Sequence, residues 1–124
     1  MQGFISADRE AVLRLRVRGP GDREEPVEAV IDTGFNGFLT VPASLIADLA
    51  LAFVGTTQAT LGDGSTVRLD VYQATVLWDN RERLVLTLAS ESGVLVGMSM
   101  LFGHRVTLDV HDGGVVRIEA LSQA

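Results

Sequence analysis

An apolar run, Ala29-Val30-Ile31, ends in Asp32-Thr33-Gly34. The run is strand material, so it puts one carboxylate at a strand end, on a turn that Gly34 lets bend. A carboxylate so placed can take a proton from water and direct it at a peptide carbonyl. That chemistry needs two carboxylates. Within about 3 Å of each other they share one proton, the ionised one serving as base and the protonated one polarising the carbonyl. The chain has a single Asp-Thr-Gly, so a working site of this kind requires a second copy of the chain. No metal, cofactor or covalent intermediate enters such a reaction. Activity is expected at mildly acidic pH, fading as both carboxylates ionise. Taken alone, the tripeptide serves as well for a strand end and turn in which nothing reacts.

The elements that must hold this loop are read from periodicity. Leu13, Leu15 and Val17 alternate with Arg14, Arg16 and Arg18, the pattern of a half-buried strand. Val67, Leu69 and Val71 alternate with Arg68 and Asp70, and Val106, Leu108 and Val110 with Thr107, Asp109 and His111. Thr75–Trp78, Leu84–Leu88 and Val115–Ile118 are three further short runs. Turn residues separate them: Gly19-Pro20-Gly21-Asp22, Asp63-Gly64, Asp79-Asn80 and Asp112-Gly113-Gly114. Asp63-Gly64 is a strong hairpin signal, because a tight primed turn needs positive φ. Many short strands at this spacing predict an all-β barrel or sandwich. Pro42–Leu49 suits a short helix with Pro42 in its first turn, and Met98–Phe102 one or two helical turns. Val94-Leu95-Val96-Gly97 echoes Val30–Gly34 as an apolar run ending in glycine, which fits two halves related by a pseudo-two-fold axis.

A chain of 124 residues fits one domain, residues 1–124, able to bury roughly two-thirds of its unfolded surface. Hydrophobic residues are 47% of it and cysteine is absent. Disulfides and thiolate metal sites are excluded, and a reducing compartment is expected. Met1–Glu10 lacks the features of a signal peptide, and no apolar run is long enough to span a membrane, so a cytoplasmic protein is expected. The net charge is −6. Only Arg14, Arg16 and Arg18 cluster, and Glu24 and Glu25 follow closely, which disfavours nucleic acid and anionic membrane surfaces as partners. His104 and His111 have no spaced His or Cys partner for zinc and are expected at the surface. Trp78 is read as a core or edge anchor. Met98, Met100, Leu101 and Phe102 are read as core or dimer interface, and Phe35, Phe38 and Val96 as candidates for lining a cleft.

Asp32-Thr33-Gly34, the Gly62-Asp63-Gly64-Ser65 hairpin, Leu95-Val96-Gly97-Met98-Ser99 and Val106–Val110 follow one another in an order that resembles the single-domain, retropepsin-like (clan AA) aspartic proteases, in particular their small bacterial members. The resemblance runs from about Val12 to Glu119. It implies an acid-protease closed barrel with one or two short helices and a homodimeric endopeptidase acting on peptide or protein substrates. Asp32 would be catalytic. Thr33 would bond the partner subunit's loop, and Gly34 would let the backbone approach substrate. Asn36 stands where retroviral members carry an acidic residue that helps bind the peptide backbone. Gly62, Asp63, Gly64 and Ser65 would form the tip of a flap over bound peptide. One departure is plain: Met98-Ser99 occupies a stretch where retroviral relatives place a basic residue, so their ion-pair network cannot form in the same way. The other class left open is a non-catalytic peptide-binding or dimerising module that keeps the fold.

Overall fold

The computed structural model describes residues 1–60 and 63–122. The strands are β1 (Gln2–Ile5), β2 (Ala11–Arg18), β3 (Glu24–Ile31), β4 (Leu39–Val41), β5 (Ala52–Thr60), β6 (Thr66–Trp78), β7 (Arg81–Ala89), β8 (Leu95–Val96), β9 (His104–Leu108) and β10 (Val115–Ala120). Two short helices, α1 (Ala43–Leu49) and α2 (Met98–Leu101), interrupt them. Among the described residues, none of the helices is long and apolar enough to cross a membrane.

The strands join in the order β5-β6-β7-β4-β8-β3-β2-β1-β10-β9, and β6 also pairs with β2. That extra pairing, Arg16 to Leu77, Val17 to Val76 and Arg18 to Thr75, closes a ring of six strands: β2, β6, β7, β4, β8 and β3. The all-β closed barrel expected from the sequence is therefore present. Its interior holds the inward residues of the alternating runs, with Leu13, Val17, Val41, Val76 and Val96 fully buried. A hairpin, β5 with the first half of β6, extends from one side of the ring. A small sheet, β1-β10-β9, extends from the other.

Several elements depart from the periodicity reading. Val67–Val71 and Thr75–Trp78 are one strand, β6, because Tyr72-Gln73-Ala74 contains no turn former. Its far end turns at Asp79 (φ 51°) and Asn80 (φ 64°), the pair of positive φ values that a primed hairpin turn requires. The run from Val106 ends as a strand at Leu108. Pro42 stands just before α1 as its N-cap rather than inside the first turn. β4 is buried at all three residues, being parallel to β7 on one edge and antiparallel to β8 on the other. A three-residue strand without an exposed face leaves no alternation to read. Inside it the Thr40 hydroxyl donates to the Gly93 carbonyl (2.9 Å) and accepts from the Leu95 N–H (3.0 Å), so burying it strands no polar group. β1 fits against β2 because Gly3 has no side chain: a Cβ there would stand 2.0 Å from the Val12 carbonyl oxygen.

The three arginines of β2 are ion-paired. Arg14 pairs with Glu28 (3.3 Å), Arg16 with Glu24 (3.0 Å), and Arg18 with both Glu24 (3.3 Å) and Glu82 (2.6 Å). Arg14–Glu28 and Arg18–Glu24 are directly opposite in the β2–β3 register. Hydrogen bonds from Arg16 and Arg18 hold the Glu24 carboxyl below the usual carboxylate range.

Candidate active site

β3 delivers Asp32. The strand runs parallel to β8, with Val30 beside Leu95 and Ile31 beside Val96, so the two apolar runs that echo each other in sequence lie side by side. The ladder continues past the strand end: the Asp32 N–H donates to the Val96 carbonyl (2.9 Å). The chain then turns, with the Phe35 N–H donating to the Asp32 carbonyl (3.1 Å). The half-buried Asp32 carboxylate is steered from within the same turn, where Oδ1 accepts the Gly34 N–H at 2.9 Å. Gly34 is not in the left-handed region. A Cβ there would stand 3.2 Å from Asp32 Oδ1, so what glycine provides is room beside the carboxylate.

The rest of the loop is fastened to the start of α2. The Gly97 N–H donates to the Phe38 carbonyl (3.1 Å), the Met98 N–H to the Phe35 carbonyl (2.8 Å) and the Ser99 N–H to the Gly37 carbonyl (3.1 Å). The Ser99 hydroxyl donates to the Asn36 carbonyl at 2.5 Å. Neutral hydrogen bonds thus tie the loop to the start of α2. Phe35 covers the junction, its ring lying where a Cβ on Gly37 or Gly97 would clash at 2.5 Å. Phe35 therefore shapes the loop. Val96, fully buried, cannot touch a substrate.

Two concavities flank the loop and meet at Ser99. One, about 280 Å³, is lined by Gly37 and Phe38 of the loop, Thr57 and Val71 of the hairpin, and Leu86 and Leu88 of β7. The β5–β6 hairpin thus leans over the loop's Gly37–Phe38 side. At its tip Asp63 Oδ1 accepts from the Ser65 N–H (2.9 Å) and hydroxyl (2.6 Å), and these bonds hold its carboxyl below the usual range. Gly64 takes a φ of 85°, which suits glycine. Gly62 lies outside the described residues. Asn36 is exposed.

The second concavity, about 620 Å³, is apolar, and Ile31, Thr33, Met98, Phe102, Val106 and Leu108 are among the residues around it. The sequence reading hinted at it only through Met98–Phe102, which the fold divides: Met100 and Leu101 are core, whereas Met98 is 46% and Phe102 75% exposed. Arg83 braces this wall by donating to the Met100 carbonyl (3.0 Å) while lying 5.9 Å from the Trp78 and Phe38 ring centroids. His104 is half-buried rather than a plain surface residue. The Trp78 indole N–H, which can only donate, meets His104 Nε2 at 3.1 Å. Nδ1 therefore carries the ring proton and donates to the Phe102 carbonyl at 3.1 Å. Trp78 itself is buried, as expected of an anchor.

The fold is similar to that in the solution structure of the simian foamy virus (mac) protease, with a TM-score of 0.50 and 22% sequence identity over 72% of this chain and 91% of that one. The fold is that of a retropepsin-like protease. At this identity the likeness is one of fold, and the roles of individual residues rest on the geometry above. No protein-family model and no curated protein sequence matches the chain. Among the described residues, no group of three His, Asp or Glu side chains converges as a metal site would require. On the retropepsin-like frame, Asp32 lies at the end of a barrel strand, Thr33 opens toward the apolar concavity and Asp63-Gly64-Ser65 turn the hairpin.

Proposed function

We propose that the chain is an aspartic endopeptidase of the small bacterial type, one domain spanning residues 1–124, which acts in the cytoplasm as a homodimer. The observation that carries this reading is the setting of Asp32. A carboxylate ends a barrel strand, is steered by the Gly34 N–H at 2.9 Å, and belongs to a loop beside a concavity that a glycine-tipped hairpin overhangs. A single carboxylate cannot complete the chemistry, so Asp32 of a second copy supplies the other half.

In the dimer the two Asp32 carboxylates share one proton. The ionised one takes a proton from water as its oxygen bonds to the peptide carbonyl carbon, and the protonated one gives its proton to the carbonyl oxygen. The tetrahedral intermediate then collapses with cleavage of the C–N bond, and the departing nitrogen takes up a proton. Thr33 bonds the facing loop. The Asn36 amide binds the peptide backbone without the charge that an acidic residue would bring. The hairpin tip, Asp63 to Ser65, closes over extended peptide, and a glycine at such a tip permits the motion.

The test is cleavage of a peptide library across a pH series by wild type and by Asp32→Asn. Wild type is expected to cut best at mildly acidic pH, and Asp32→Asn to lose turnover while keeping its fold. Cleavage that survives Asp32→Asn removes the mechanism. A wild-type dimer that binds peptides and never cuts them is instead the non-catalytic module.

A further inference from the structure

β7 carries leucines on its outer face and an arginine on its inner one. Leu84 is 66% and Leu86 51% exposed, while Val85 and Thr87 on the opposite face are buried. Arg83 belongs to the buried face, since side chains alternate along a strand. It is half-buried and stands across from fully buried Val76 in the β6–β7 register. An arginine keeps its charge there, and turning a charge inward costs free energy unless partners compensate. Among the described residues no carboxylate pairs with it, because the ion pairs involve other groups.

The compensation is of another kind. Arg83 donates to the Met100 carbonyl at 3.0 Å and lies 5.9 Å from the centroids of both the Phe38 and Trp78 rings, within reach of cation–π attraction. Each of these partners is tied to something else. Trp78 is part of the barrel, buried in β6 with its indole N–H on His104 Nε2 at 3.1 Å. Phe38 belongs to the loop that follows Asp32. Met100 belongs to α2, whose last carbonyls lack partners within the helix. At the start of α2 the Met98 and Ser99 N–H groups hold the Phe35 and Gly37 carbonyls of the loop.

We infer that Arg83 is a positioning residue: it clamps α2 and the Asp32 loop against the barrel wall and so fixes where the Asp32 carboxylate stands. Its consequence for turnover rests on the aspartic-peptidase reading, whereas the clamp itself does not. The bonds between the loop and α2 hold these two segments to each other. Arg83 touches both of them and holds both to β6 and β7. Arginine suits the task, because its planar fork stacks on rings while donating at its edge, which a lysine ammonium does not do.

The test is Arg83→Met, which keeps an apolar stem and loses the fork, with Arg81→Met, an exposed arginine at the start of β7, as the control. Amide hydrogen exchange at Met98 and Ser99 is expected to quicken roughly tenfold in Arg83→Met, while the amides of β2 keep their wild-type rates. At concentrations where the variant sediments as wild type does, kcat on a peptide that wild type cleaves should fall roughly tenfold with KM within about twofold, because a displaced carboxylate slows the chemistry more than the binding. Arg81→Met should match wild type in both measurements. Arg83→Lys, which keeps the charge but not the planar stack, should fall between wild type and Arg83→Met, and it carries the test if Arg83→Met does not fold. Unchanged exchange at Met98 and Ser99, or equal quickening throughout β2, overturns the clamp whatever becomes of cleavage. Local quickening with kcat unchanged, or a loss confined to KM, overturns the positioning role and leaves the peptidase reading standing. Local quickening in a protein whose wild type never cleaves supports the clamp and removes the peptidase.

Discussion

A methyl group on Gly97 would stand 2.3 Å from the Gly37 carbonyl oxygen and 2.5 Å from the Phe35 ring, whereas one on Gly34 would stand 3.2 Å from Asp32 Oδ1. The first contact is with backbone and a packed ring that cannot yield without moving the loop. The second asks for a shift of a few tenths of an ångström in one carboxylate. The two alanine variants should therefore fail differently. Gly97→Ala is expected to lower the free energy of unfolding by about 1–3 kcal/mol, as overpacking does, measured by urea titration. Gly34→Ala is expected to change stability by less than about 0.5 kcal/mol yet cut peptide turnover roughly tenfold or more, because the carboxylate loses its position. A Gly34→Ala variant with full turnover would mean that Oδ1 needs no such clearance. Both glycines stand out in the sequence as ends of apolar runs. Their separate reasons do not, because each depends on a neighbour that folding supplies.

At the scale of elements, the β5–β6 hairpin is held at its tip by a carboxylate. The Ser65 hydroxyl and N–H lower the Asp63 carboxyl from its ordinary value, so the ionised form is the one that favours the folded turn. That contribution is present above the pKa of the unfolded chain and disappears as pH falls through the lower, folded one. In an NMR titration Asp63 should titrate below the ordinary aspartate value, and the Ser65 amide resonance should move with it. In Ser65→Ala the Asp63 titration should shift upward, since the largest of its stabilising bonds is gone. An unchanged titration would sink this account of the tip. At mildly acidic pH the tip thus keeps its carboxylate, and the hairpin that overhangs the loop remains formed where peptide cleavage is expected.

The barrel closes because β2 is long enough to serve three neighbours: β3 along one edge, and β1 then β6 along the other. Closure removes edges from the ring and leaves β5 and β9 as the ends of the sheet. A chain that dimerises only when folded is stabilised by mass action. The thermal midpoint should accordingly rise over a roughly hundredfold increase in protein concentration, read by circular dichroism, with the Asp32→Asn dimer behaving as wild type. A midpoint independent of concentration, in a protein shown by sedimentation to remain monomeric, would remove the homodimer and with it the shared proton.

The sequence by itself determined what is local. Alternation in Leu13–Val17 and Val67–Val71 records strands, Asp79-Asn80 and Asp63-Gly64 record turns, and the order of Asp32-Thr33-Gly34, hairpin and Leu95-Val96-Gly97 indicated the fold and which carboxylate to suspect. The tertiary structure decided what depends on strands meeting from far apart. It closed the ring through Val17 and Val76, buried β4 on both faces, and laid β3 beside β8 so that the Val96 carbonyl holds the Asp32 N–H. It also parted Met100 and Leu101 from Met98 and Phe102, and put β9 at the end of the sheet. The physical reason is that periodicity reports whether a residue faces water, while pairing depends on where twist and closure carry each strand. Side-chain pattern alone does not say which edge remains free or which glycine stands against which ring.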